Sequence, residues 1–135
     1  MPIITEAFEY DKVWYPPMIL PQTLDKVKHF EVREDDLILV SYPRSGTHWM
    51  MELILLIQQD GDVKNIKREE HQNWEFTFVL PPDFNTCAVD LLATCPSPRF
   101  YRTHLPYQHL PLQVWTQKPK VGYNIGVIYF LFVLY

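Results

Sequence analysis

Apolar positions along this chain fall in short blocks, separated by polar and proline-rich stretches. Leu37-Ile38-Leu39-Val40 is a continuous apolar run, as in a strand buried on both faces. It predicts a strand over Asp36–Tyr42. The chain then passes through Pro43-Arg44-Ser45-Gly46 into Thr47–Gln59, whose apolar positions cover most of a helical circumference. A helix buried between other elements is expected there, ended by Asp60-Gly61-Asp62. Arg99–Thr103 reads as a second strand, and Leu105–Pro111 as a loop broken by Pro106 and Pro111.

The flanking segments carry weaker patterns. Met1–Gln22 is rich in aromatics and proline and reads as an extended arm packed on the core. Thr23–His29 suits a helical turn, and Arg33–Asp36 a charged turn before the first strand. Lys64–Gln72 is polar and helix-tolerant. Leu80–Pro98 is loop-rich, with a helix near Ala88–Ala93. Internal repeats and low-complexity tracts are absent. Strand, loop, helix and second strand in this order predict an α/β core with parallel strands in one sheet. Arg44 and His104 should then face a common cleft at its carboxyl edge.

Composition narrows the function classes. The 135 residues are 47% hydrophobic, enough for one core, and a net charge of −4 argues against a nucleic-acid face. Cys87 and Cys95 lack C-x-x-C spacing and no signal peptide opens the chain. The expectation is a cytoplasmic setting with both thiols free. No histidine pair has a metal-site spacing, so no metal is expected. Val127–Tyr135 is nine apolar residues, short of the roughly 20 that span a bilayer.

The chemistry concentrates in Ser41-Tyr42-Pro43-Arg44-Ser45-Gly46-Thr47-His48-Trp49. A strand-to-helix loop with a cation, a glycine and hydroxyls can wrap a phosphate or sulfate. Backbone N–H groups and the helix N-terminus face the oxygens, and a guanidinium forks onto them. The G-x-x-x-x-G-K-[ST] nucleotide loop is not matched. An ordinary βα turn with a surface arginine is the bland alternative. His104 follows the second strand at the carboxyl edge, where a side chain titrating near neutral pH can take a proton from a hydroxyl. His109 fits no motif and reads as a loop residue; His29 and His71 are expected to face solvent.

The nine-residue loop resembles the 5′-phosphosulfate loop of the cytosolic sulfotransferases, T-Y-P-K-S-G-T-T-W. Arg102-Thr103-His104-Leu105-Pro106 resembles their K-T-H-L-P segment. Trp14-Tyr15-Pro16 and Phe30–Val40 also fit, so the likeness covers about Phe8–Lys120. It implies one partial domain over residues 1–135, with 121–135 an atypical apolar tail whose Val127–Tyr135 stretch could form a buried strand in place of the family's third. The implied fold is a P-loop-like three-layer α/β domain, truncated in its C-terminal half.

The implied function is sulfuryl transfer from 3′-phosphoadenosine 5′-phosphosulfate to a hydroxyl or amine of a small apolar acceptor. On this resemblance His104 is the base, Arg44 neutralises charge on the breaking bridge, and Arg102 lies near the transferred group. Ser45, Gly46, Thr47 and His48 hold the 5′-phosphate, and Trp49 stacks on the adenine. Trp74, Phe76, Phe78, Phe84 and Phe100 are candidates either for an acceptor pocket or for core. Arg44 and His48 stand where the family has lysine and threonine. The family's R-N-x-x-D stretch for the 3′-phosphate, its R-K-G-x-x-G-D-W-K element and its dimerisation segment have no counterpart here. Impaired turnover is therefore expected. The alternative is a non-catalytic remnant that binds anions weakly or pairs with another chain.

Overall fold

The computed structural model describes residues 6–66, 75, 79–80, 86–124 and 130–133. β1 (Phe8–Tyr10) and β2 (Val13–Tyr15) form an antiparallel hairpin, turned by Asp11 and Lys12 at positive φ. The aromatic arm expected at the N-terminus is thus partly a ribbon. α1 (Pro21–Lys28) begins with proline, whose fixed φ suits a first helical position. β3 (Leu37–Ser41) follows, then α2 (Thr47–Gln58). β4 (Val79–Leu80) and β5 (Thr86–Cys87) make a small antiparallel pair, and α3 (Ala88–Thr94) follows directly. β6 (Phe100–Thr103), α4 (Val114–Gln117), β7 (Lys120–Asn124) and β8 (Phe130–Val133) complete the chain.

The main sheet has the order β6-β3-β7-β8. β3 pairs in parallel with β6 and β7, from Leu37 opposite Phe100 and Lys120. β8 joins antiparallel to β7. The two strands read from sequence therefore share a sheet. The third parallel strand is Lys120–Asn124, not the apolar tail. Gly122 and Lys120 masked its pattern, whereas the tail adds the antiparallel edge.

Strand alternation sorts the core into two layers. Ile38, Val40, Tyr101 and Val121 pack on one face with Leu24 and Val27 of α1 and Val89 and Leu92 of α3. Leu39 and Phe100 face the other way, against Met51 and Ile54 of α2. Each such side chain contributes about 1.5–3 kcal/mol on burial. Phe100 is thus a core residue rather than part of a pocket. The three layers put β3's carboxyl end, the loop after it and the start of α2 beside the end of β6.

Asp36 fixes the other end of that arrangement. Arg99 donates from Nε and Nη2 to its two carboxylate oxygens at 2.8 and 2.6 Å, with both side chains at most 1% exposed. Tyr101 Oη and the Arg33 N–H donate to the same carboxylate. The Asp36 carbonyl accepts from Lys120 N–H, tying in β7.

Two expectations need correction or fall outside view. α2 is not enclosed: only Thr47, Met51 and Ile54 are buried, while Ile57 is 69% exposed and Met50, Leu53, Leu55 and Leu56 are half-buried. One flat sheet face covers one stripe of a helix, whatever the composition of the rest. Of Lys64–Gln72, Val63–Asn65 forms a 3-10 turn and Ile66 follows it in extended conformation; residues 67–72, like His71, Trp74, Phe76, Phe78 and Phe84, lie outside the described residues.

Candidate active site

The loop after β3 owes its shape to two left-handed residues. Gly46, the residue before α2, has φ +93°, and Arg44 has φ +66°. Only glycine takes that region without strain, so Arg44 is held there by its surroundings. Its anchor is Asn124, at the carboxyl end of β7. Ser45 Oγ donates to the Asn124 carbonyl and Asn124 Nδ2 donates to the Ser45 carbonyl, both at 3.2 Å. Tyr42 N–H donates to the same Asn124 carbonyl. Ser45 is thereby buried, with its own N–H spent on Tyr42.

The remaining loop residues open onto a cavity of about 380 Å³, lined by Pro43, Arg44, Gly46, Thr47, His48, Trp49 and His104. No side chain caps α2, so the first-turn N–H groups stay available to an anion. Trp49 is 65% exposed on this rim, not sunk in the core. Arg44 and His104 do share a cleft. Ser45 and Arg102 are not among its lining residues: Ser45 shapes the loop, and Arg102 sits one step behind. Arg102 Nη1 donates to His48 Nε2 at 3.1 Å, which fixes that nitrogen as an acceptor. Burial lowers the Arg102 pKa, and Glu75 opposes the shift.

His104 lies just past β6 with its side chain 30% exposed. Its Nδ1–H donates to the Ser41 carbonyl at 2.8 Å, with Ser41 Oγ at 3.3 Å. Ser41 Oγ also hydrogen-bonds Thr47 Oγ1 at 2.7 Å, joining the histidine to the first turn of α2. With Nδ1 committed, Nε2 carries the lone pair. It lies 3.9 Å from Glu75 Oε2, on a carboxylate that is 1% exposed.

A second, larger cavity of about 700 Å³ meets the first at Pro43 and His104. Its wall is largely apolar and comes from the hairpin and the turn after His104, with Trp14, Tyr15, Met18, Leu105 and Tyr107 among its residues. His109 holds these walls together: Tyr15 Oη bonds its Nδ1, and its Nε2 lies 3.3 Å from Asp11 Oδ2. Burial, with lesser contributions from Tyr10 and Asp11, pushes the Tyr15 phenol up to about 12, so Tyr15 is the donor.

A cleft that carries Arg44 and the uncapped start of α2 meets a larger apolar cavity at one oriented imidazole. A sulfotransferase-domain family model matches residues 34–124. The chain belongs to the sulfotransferase family. It is 38% identical over 99 residues to mouse sulfotransferase 1 family member D1, which covers 73% of this chain and 33% of that protein. It is 32% identical over 127 residues to mouse sulfotransferase 1B1, covering 87% and 42%. A crystal structure of a mouse sulfotransferase complexed with PAP superposes with a TM-score of 0.64 at 29% identity, covering 87% of this chain and 38% of that one. The chain thus spans about a third to two fifths of the length of these sulfotransferases.

Sequence reasoning gave no individual role to Ser41, Glu75 or Asn124, nor to the hairpin residues of the apolar cavity. Asn124 and Glu75 each carried a faint signal. One is a lone amide ending a strand, the other a lone acid among aromatics. Their roles depend on partners 63 or more residues away for Ser41 with His104, and 79 away for Asn124 with Ser45.

Proposed function

We propose that this chain is a cytosolic sulfotransferase acting from 3′-phosphoadenosine 5′-phosphosulfate onto a hydroxyl or amine of a small apolar acceptor. The observation that carries the reading is His104 at the junction of the cleft that carries Arg44 and the start of α2 with an apolar cavity. The donor's 5′ end suits the cleft, because Arg44 and the uncapped first turn of α2 both present donors there. When bound, the donor supplies an activated sulfuryl group.

The chain's own residues then have distinct tasks. Arg44 and the N–H groups of Gly46–Trp49 bind and orient the anionic end. His104, its Nδ1–H held by the Ser41 carbonyl, takes the acceptor's proton at Nε2. The aromatic wall around Trp14 and Tyr107 holds the acceptor and excludes water. Arg102 adds positive charge from behind His48.

The second reading, a non-catalytic chain that binds anions or pairs with another chain, is favoured by the half-covered apolar face of α2. A radiolabelled sulfate-transfer assay with phenolic, steroid and amine acceptors separates the two. The expected result is slow transfer that falls by about 10²-fold or more in His104→Ala, the usual contribution of such a base. Transfer no higher than that control, with PAP binding retained, would leave the anion-binding reading in place.

A further inference from the structure

Glu75 is a buried acid on the wall of the apolar cavity, and the mechanism above does not use it. Its side chain is 1% exposed, and its backbone forms a parallel bridge with Arg102. It lines the apolar cavity together with His104, and its Oε2 is 3.9 Å from His104 Nε2. The opposite ring nitrogen already donates to the Ser41 carbonyl at 2.8 Å. Both edges of the imidazole therefore face oxygen acceptors. At 3.9 Å the carboxylate is beyond hydrogen-bond reach of Nε2 but within ion-pair distance of a ring that carries a proton on both nitrogens.

We propose that Glu75 is the positioning residue of His104, its carboxylate stabilising the imidazolium that forms when Nε2 takes a proton from the acceptor. The acceptor O–H or N–H bond breaks, an Nε2–H bond forms, and the positive charge appears beside a carboxylate shielded from water. A carboxylate this close and this buried attracts a positive ring more strongly than a water-screened charge would. The proposal rests on His104 being the proton acceptor.

Among the described residues, Tyr15, Tyr42, Tyr107 and Tyr123 line the apolar cavity with His104 and Glu75. Arg44 and His48 line the smaller cleft with His104, from the loop and from α2. Arg102 approaches from β6, and its guanidinium interacts with the same carboxylate. Glu75 is the anion beside the ring, opposite the guanidinium charges of Arg44 and Arg102. A Glu75 serving only as counter-ion to Arg102 would leave the pH course of His104 unchanged when it is replaced by glutamine.

Nuclear magnetic resonance on the ligand-free 135-residue chain distinguishes these cases without donor, acceptor or turnover. With glutamate labelled at the carboxyl carbon and histidine at the ring nitrogens, the Glu75 resonance is followed against pH. We expect a step in it coincident with the titration of the His104 ring, and loss of that step in His104→Gln. In Glu75→Gln, the ring nitrogens of His104 should change their pH course while those of His109 keep theirs. A Glu75 resonance with no step at the His104 titration, or a step that survives His104→Gln, overturns the proposal. So does an unaltered His104 course in Glu75→Gln. The first criterion needs only the unmodified protein, so a variant that fails to fold does not shield the idea. Sulfotransferase activity fails or stands on the transfer assay alone.

Discussion

Replacing Asp36 by alanine tests whether one buried carboxylate holds the frame of the site. Asp36 accepts two charge-assisted bonds from Arg99 at 2.8 and 2.6 Å, one from Tyr101 Oη at 3.1 Å and one from Arg33 N–H at 2.9 Å. Bonds to charged groups contribute roughly 1.5–3 kcal/mol each, so the two from Arg99 give a gross loss of about 3–6 kcal/mol. Arg99 keeps partial compensation: it still donates to the Leu92 and Glu31 carbonyls and lies 4.8 Å from the Phe30 ring centre. The expected net loss is about 3–5 kcal/mol, the range for breaking a buried pair on one side. With a urea slope of about 2 kcal/mol/M, the midpoint followed by far-UV circular dichroism falls by about 2 M. The double variant Asp36→Leu/Arg99→Met removes both charges and should recover most of the loss, since apolar replacements of a buried pair are often neutral. A single variant that loses under about 1 kcal/mol would refute the reasoning. A double variant less stable than Asp36→Ala would refute it too.

Three further outcomes are expected. Arg44→Ala weakens PAP binding, measured by titration calorimetry, by about 1.5–3 kcal/mol; unchanged affinity would move the anion site elsewhere. Gly46→Ala costs about 1–2 kcal/mol of stability from backbone strain alone, because φ is +93° and an added Cβ meets nothing within 4 Å. A loss above about 3 kcal/mol in a melt would contradict that origin. Tyr15 has a folded-state pKa raised to about 12 by burial, against 10.0 for the free group. The unfolded state loses its proton first, so stability is full below pH 10 and declines as pH rises from 10 to 12. Tyr15→Phe should flatten that decline in denaturant midpoints, and an equal slope would count against the assignment.

How much was legible follows from which interactions are local. The run Leu37–Val40, the Ser41–Trp49 loop and the Arg102–Pro106 segment carry their chemistry in consecutive residues, so strand, turn and histidine were readable directly. β7 was missed because Gly122 and Lys120 interrupt an apolar run whose strand character comes from pairing with β3. The enclosure of α2 was over-read because apolar composition states what a helix can bury, not what is there to cover it. Ser45 was read as a donor to the anion, but its hydroxyl and N–H are drawn to Asn124 and Tyr42.

By itself the sequence determined the α/β class, the β3–loop–α2 unit, the position of His104 at a strand end and the family motifs. These depend on periodicity and on side chains within a few residues of one another. Tertiary structure alone decided the tautomer of His104 through the Ser41 carbonyl, the anchoring of the loop by Asn124, the second place of Arg102 behind His48 and the presence of Glu75 beside the base. Each joins residues from different strands or helices. The parallel register of β3 with β6 and β7 brings them together, and no local pattern encodes which side chains that register opposes.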